Sequence, residues 1–382
     1  MKRIGIIGFG VRMSKDLASK YFQHYFEDMM VAAIADIDLE KVRERIDDIP
    51  GWDIEKISLY TDAIEMLDNE ELDGVMIGTR CNLHSRFAIE VLNRNIPVFL
   101  EKPVSTTLED YYKLKEAVEK SEAGGITSFP LRLTLLVKKA KEIYESGALG
   151  TLSQIQAWNN VNYGRVYYKD WYRDESITGG LFLQKATHDV DYINYVLGKQ
   201  PIELCAMESK MVFKGDKPAN LKCEDCPEVD TCYESAKIIR EKYDEQVADY
   251  CSYGVDVGNH DSATILMRYD DGLHVVYTQN FVVRKKAGKR GMRMIGQKAT
   301  LEFDWDDDTL KFIHHEERKT ENYYLIPPAG IGHSGGDYHL IEDFYALICG
   351  DKSVSSLKAG LDSAYVCLKA CESAKTHKFM TL

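Results

Sequence analysis

Residues 183–191 read LQKATHDVD and follow the pair Gly179-Gly180. They bring a glutamine, an amine, an imidazole and two carboxylates together, which is the material of proton transfer. On a helix, positions three and four apart share a face, so Gln184, Lys185 and His188 project to one side with Asp191 close by. An imidazole with an ordinary pKa of ~6.5 accepts a proton near neutral pH. A polar helix surface is the competing reading, and the stretch alone leaves both open. A second amine stands in Val98-Phe-Leu-Glu101-Lys102-Pro103, at the end of a short apolar run. Ligands of open α/β sheets bind beyond the carboxyl ends of such strands, so Lys102 is a candidate to face a reacting oxygen.

A nucleotide-binding turn precedes both. IGIIGFGVRM reads strand, Gly8-x-Gly10, helix, with Val11, Arg12 and Met13 opening the helix. The glycines allow a tight turn and close backbone approach to a pyrophosphate, and the helix start supplies N–H groups. The third glycine of the fingerprint falls at Met13, so the match is partial. Asp36 follows Gly10 by 26 residues, at the end of an apolar run, where an acid binds a ribose 2′-hydroxyl and repels a 2′-phosphate. This spacing favours NAD. Arg12 is basic enough to meet a phosphate, so NADP stays open, and a simple turn aspartate is the other reading of Asp36.

Four of the nine cysteines are bunched: Cys223-x2-Cys226-x5-Cys232, then Cys251. In a reducing compartment such spacing suits a tetrahedral zinc, and four sulfur ligands leave no open position, so the site would be structural. A disulfide pair, an iron–sulfur cluster and free thiols are the alternatives.

These residues need elements to hold them. Residues 1–125 alternate apolar runs (RIGIIGFG, MMVAAIAD, LDGVMIGT, IPVFLEK) with helical patterns (SKDLASKYFQHYF, LEKVRERIDDI, HSRFAIEVLNRN). This is the pattern of a doubly wound parallel sheet, a Rossmann-type α/β domain. From 126 to 382 the runs alternate at period two (LSQIQAWNNVNY, SATILMRYDDGLHVVYTQNFVV, RMIGQKATLEFDWD), with YDDGL as a hairpin turn. An α+β domain on an open, mainly antiparallel sheet is expected there, with a cysteine-rich insert at about 214–251 and helices at the end.

The chain has 382 residues and a formal net charge of −13. Two domains suit that length. The acidic balance argues against nucleic acid and anionic membrane as partners. The first apolar run breaks too early for a secretory signal, and no run approaches the ~18 residues of a membrane span. A cytoplasmic location is the expectation.

Taken in order, Gly8/Gly10, Thr79…His84, Glu101-Lys102-Pro103 and Gly179-Gly180…His188 resemble the glucose–fructose oxidoreductase/inositol dehydrogenase family (Gfo/Idh/MocA). Arg132, the Ser146-to-Gly150 helix end and His333-x-Gly-Gly-Asp337 agree with it. The resemblance implies hydride transfer between NAD(P) and a hydroxyl or carbonyl of a sugar or cyclic polyol. It implies Lys102 and His188 as the catalytic pair, and Gly8, Gly10, Val11, Arg12, Met13, Asp36, Thr79, Asn82, His84, Glu101 and Lys102 along the cofactor. Gln184, Lys185, Arg132, Trp171, Arg173 and His333 are the expected substrate contacts. Gln184 stands where the family helix commonly carries aspartate, and glutamine takes up no proton at neutral pH. His188 is the first candidate base. Lys102 is the second, its pKa lowered by the positive nicotinamide ring. Lys185 contacts substrate or pairs with Asp189. An NAD-dependent glycosidase and a non-catalytic ligand or redox sensor are the alternative functions. An open sheet face calls for a homodimer or homotetramer.

Overall fold

The computed structural model describes residues 1–21, 28–327 and 332–382. Residues 22–26 of the expected first helix lie outside this set. The chain divides into two compact units. The first is Met1–Lys138 with Val190–Tyr192 and Pro327–Tyr365; the second is Lys139–Asp189, Ile193–Ile326 and Val366–Leu382.

In the first unit the strands are β1 (Lys2–Ile7), β2 (Met29–Ala35), β3 (Ser58–Tyr60), β4 (Gly74–Ile77), β5 (Val98–Leu100) and β6 (Gly125–Thr127). Among the described residues they form one sheet in the order β3-β2-β1-β4-β5-β6, with every pair parallel. Strands such as β4 and β5 are buried along their whole length, which is why they read as unbroken apolar runs. Asp38 starts the helix Leu39–Asp47 by accepting from the Lys41 N–H, as a capping carboxylate does. Sequence reading counts β5 as the fourth strand, because the three-residue β3 gives no usable signal.

A distant segment completes this unit. The helix Gly336–Ile348 lays Leu340, Ile341, Phe344 and Ile348 into the same core as Ile4, Met76 and Phe99. A Cβ on Gly74 would stand 2.9 Å from the Phe344 ring, so glycine is what lets this helix approach β4. Ser355 joins the far edge, accepting from the Thr127 N–H and donating to its carbonyl.

The second unit holds β7 (Leu152–Asn160), β8 (Glu203–Ser209), β9 (Ser262–Arg268), β10 (His274–Asn280), β11 (Lys289–Gly296), β12 (Ala299–Asp304), β13 (Thr309–His314), β14 (Thr320–Tyr324) and β15 (Met380–Thr381). Among the described residues they order as β14-β13-β12-β11-β7-β10-β9-β8-β15. Only β7 and β10 run parallel; the other neighbours are antiparallel. β7 alternates buried and part-exposed residues, as a strand with one covered face must. No helix of the described residues is long and apolar enough to cross a membrane.

Candidate functional site

The glycine turn follows β1 directly. Gly8 has φ +82°, and a Cβ there would meet Thr79 at 2.8 Å, so only glycine fits. A Cβ on Gly10 would meet nothing nearer than 3.9 Å, which leaves room over the turn. Asp36, just past β2, is held across that turn: its carboxylate accepts from the Phe9 N–H at 2.7 Å and from the Asp38 N–H at 3.0 Å. Val11 is exposed beside it. Met13 is not on the surface. It is fully buried in the apolar core, and a Cβ on Gly78 would meet its Cε at 2.7 Å, so its side chain supports the turn from beneath instead of meeting a cofactor.

Arg12 is committed elsewhere. Its guanidinium binds Glu101 Oε1 at 3.1 Å and clasps Asp337 with two bonds of 2.9 and 2.6 Å. Burial works against its charge, but Glu101 and Asp337 outweigh burial and hold it firmly protonated. Burial also opposes the charge of Asp337, yet Arg12 and His333 hold its carboxyl well below the usual range. His333, expected at the substrate, instead belongs to this first unit and bonds Asp337 at 2.8 Å through Nδ1.

Thr79 and the exposed Asn82 lie beyond β4. His84 is buried, its ring nitrogens 2.8 Å from the Pro103 carbonyl and 3.1 Å from that of Thr79. Burial lowers its pKa, so the ring is neutral and donates to one carbonyl at a time. It ties the loop after β4 to the Glu101-Lys102-Pro103 segment and positions that segment from behind. Lys102 follows β5, part-exposed, with Glu101 buried beside it.

Arg132 is also not a surface contact. It is buried, forms a two-bond pair with Asp191, and donates to the Val354 carbonyl at 2.8 Å. The pair consumes the guanidinium that the sequence suggested for substrate.

In the second unit, Gly179 and Gly180 both have positive φ and lead into a π-helical turn, Phe182–Ala186, where the Thr187 N–H reaches back to the Phe182 carbonyl. An α-helix, Thr187–Leu197, continues from it. Such wide turns concentrate at functional sites, and nothing in the residue pattern announces this one. Gln184 is buried and donates to the Thr178 carbonyl at 3.0 Å. His188 is 7% exposed, one turn along. Lys185 is 6% exposed; its ammonium donates to the Tyr163 hydroxyl and lies over the rings of Tyr163 at 4.4 Å and Tyr167 at 5.2 Å. It makes no bond to Asp189, the partner that sequence offered. Asp189 is taken by Arg290 at 2.8 Å, Asn159 at 2.9 Å and Tyr277 at 2.9 Å. Burial, then the charge of Arg290, lowers the Lys185 pKa to about 7 against the pull of Asp189.

Trp171 stacks on Tyr172 with ring centres 3.8 Å apart. Arg173 is buried, bonded to Asp256 at 2.6 Å and stacked over Tyr250. Through Asp256 and Tyr250 it braces the cysteine insert.

Cys223, Cys226, Cys232 and Cys251 line one small cavity, and none is in a disulfide. The buried Lys169 sends its ammonium to the Cys223 sulfur at 3.4 Å and to the Tyr250 carbonyl at 3.2 Å. Among the described residues, no three His, Cys, Asp or Glu side chains already stand as a metal-ligand group.

Comparison with known proteins agrees with this layout. Residues 2–125 match an oxidoreductase family with an NAD-binding Rossmann fold, and residues 137–302 match the GFO/IDH/MocA C-terminal domain. The chain belongs to the Gfo/Idh/MocA family. Among its relatives is YteT of Bacillus subtilis (strain 168), 24% identical over 74% of this chain and 74% of that protein. A myo-inositol 2-dehydrogenase of Thermotoga maritima is 29% identical over 55% of this chain and 59% of its own length. A levoglucosan dehydrogenase solved with NADH and L-sorbose shares the fold of this Gfo/Idh/MocA chain: TM-score 0.79 at 18% identity, covering 100% of this chain and 98% of the other.

Proposed function

We propose that the chain is an NAD-dependent dehydrogenase of a hydroxyl group on a sugar or cyclic polyol. The observation that carries this reading is the pair of buried proton-handling side chains, Lys185 in the wide turn after Gly179-Gly180 and His188 at the start of the α-helix that continues from it. Lys102, at the carboxyl end of β5, is the second catalytic residue of this reading. NAD, when bound, provides the hydride acceptor. Gly8 and Gly10 would admit its pyrophosphate and Asp36 its ribose hydroxyls. His188 takes the hydroxyl proton, and Lys102 stabilises the negative charge that develops on the same oxygen. Arg12 is spent on Glu101 and Asp337, which leaves Asp36 to choose the cofactor, and Asp36 favours NAD over NADP. The names of the inositol and levoglucosan dehydrogenases support the substrate class. The purified protein, given NAD and a panel of inositols, aldoses and anhydrosugars, is expected to produce NADH with at least one of them and far less NADPH from NADP. Cleavage of an aryl glycoside with no NADH formed would favour the glycosidase, and silence in both assays would favour the sensor.

The same reading places the protein in the cytoplasm and in a homodimer or homotetramer covering the open sheet. It also assigns the insert a structural zinc on Cys223, Cys226, Cys232 and Cys251. Three observations support the metal: the shared cavity, the absence of disulfides, and the buried cation of Lys169 against a sulfur, which would offset the negative charge of a four-thiolate zinc. Protein purified without chelator is expected to carry one zinc per chain, and Cys223→Ser to melt several degrees lower. Metal-free protein with the melting point of the wild type would remove the zinc.

A further inference from the structure

Gln184 cannot carry a proton, and its Nε2 donates to the Thr178 carbonyl. The adjoining residue can. Lys185 sits in the π-helical turn, buried, and among the described residues no carboxylate lies within ion-pair distance of its ammonium. That is an expensive way to keep a lysine, since long charged side chains are rarely buried without an ionic partner. Its contacts are aromatic: the Tyr163 hydroxyl as acceptor, and the faces of Tyr163 and Tyr167. Tyr163 is 53% exposed, so the hydroxyl that touches the buried amine belongs to a side chain open to small molecules.

We propose that Tyr163 and Lys185 form a proton relay for this enzyme, with the Tyr163 hydroxyl outermost and the Lys185 amine as the acceptor behind it. The proposal rests on the dehydrogenase reading above. As the substrate C–H electron pair leaves as hydride, His188 takes the substrate O–H proton and passes it on to the Tyr163 oxygen. The Tyr163 proton moves in the same event to the neutral Lys185 Nζ, which becomes an ammonium. Reduction runs the same steps backwards. The charged and titratable groups around Lys185 are Arg290 of β11, Asp189 and His188 of its own helix, and Tyr163 and Tyr167 from the segment after β7. Arg290 and Asp189 already bind each other, so their effects on Lys185 partly cancel. With burial lowering its pKa to about 7, Lys185 is neutral on the alkaline side, and oxidation should rise with pH through that value.

The test uses Lys185→Met, Lys185→Arg, Lys185→Ala and Tyr163→Phe in the full-length protein, with NAD binding followed by nucleotide fluorescence as an independent check of folding. Lys185→Met is expected to lower kcat by about 10²-fold with KM changed less than about threefold, and to lose the rise of kcat/KM near pH 7. Lys185→Arg, which cannot give up its proton, is expected to be equally slow, and methylamine to restore part of the activity of Lys185→Ala. Tyr163→Phe should lose about tenfold and also lose the pH step. If Lys185→Met or Lys185→Arg keeps most of the wild-type kcat and the same pH step, the relay is wrong while the dehydrogenase reading stands. The same holds if only KM rises. If wild-type protein binds NAD but oxidises no sugar or polyol, both readings fall.

Discussion

His188→Ala and Lys102→Ala are each expected to lower kcat by at least about 10²-fold, equivalent to about 2.7 kcal/mol of transition-state stabilisation. The two losses have different causes. His188 is nearly buried at the start of the α-helix that continues from the turn after Gly179-Gly180, and an imidazole is the side-chain type best suited to exchange a proton with a hydroxyl near neutral pH. Lys102 lies at the carboxyl end of β5, where the segment is anchored from behind by His84 through the Pro103 carbonyl. An ammonium so placed stabilises an alkoxide as it forms, so its loss should appear in kcat more than in KM. Steady-state kinetics at saturating NAD check both, and the pH profile separates them. If His188 is the base, His188→Ala should depress the rate most at neutral pH and recover part of it at alkaline pH. Lys102→Ala should be slow throughout. Near-wild-type turnover in either variant removes the role given to that residue.

How much of this was legible in the residues depends on distance along the chain. The Rossmann-type sheet was readable because its central strands are apolar on both faces, and the antiparallel sheet because β7, β9 and β10 alternate. The short strands β3 and β6 carry too few residues for any period to show. The return of Pro327–Tyr365 to the first unit was hidden, because it depends on Phe344 and Ile348 finding the space over Gly74, a contact between distant positions. The same limit explains the polar residues. Arg132, Arg173 and Gln184 have the chemistry of substrate contacts, but Asp191 clasps the first, and Asp256 and the Thr178 carbonyl each take one nitrogen of the other two. A sequence displays what a side chain can bind and hides which partner reaches it. Lys185 is the converse: its expected partner Asp189 is taken by Arg290, so a residue that looked like half of a salt bridge is left among tyrosines. The π-helical turn that places it has no residue signature.

Arg132→Ala should destabilise the protein by ~3–5 kcal/mol, the cost of leaving one member of a buried ion pair uncompensated. Asp191 is almost wholly buried, and burial pushes its carboxyl up to about 6 even with Arg132 clasping it, so at neutral pH it is still ionised. Without the guanidinium that charge has no compensation, and the carboxyl pKa must rise further. The sign of the pH dependence follows. The native carboxyl titrates above its unfolded value of ~3.9, so the native state holds more protons and gains stability as pH falls. The gap between Arg132→Ala and wild type should therefore be wide at pH 8 and narrower at pH 5, where protonation quenches the orphaned charge. Urea or thermal melts at the two pH values measure it. The double variant Arg132→Met/Asp191→Leu should regain most of the loss, since replacing a whole buried pair by apolar groups is often neutral. A single variant within about 1 kcal/mol of wild type at pH 8 would mean that the pair holds nothing in place. Arg132 would then return as a candidate for the substrate.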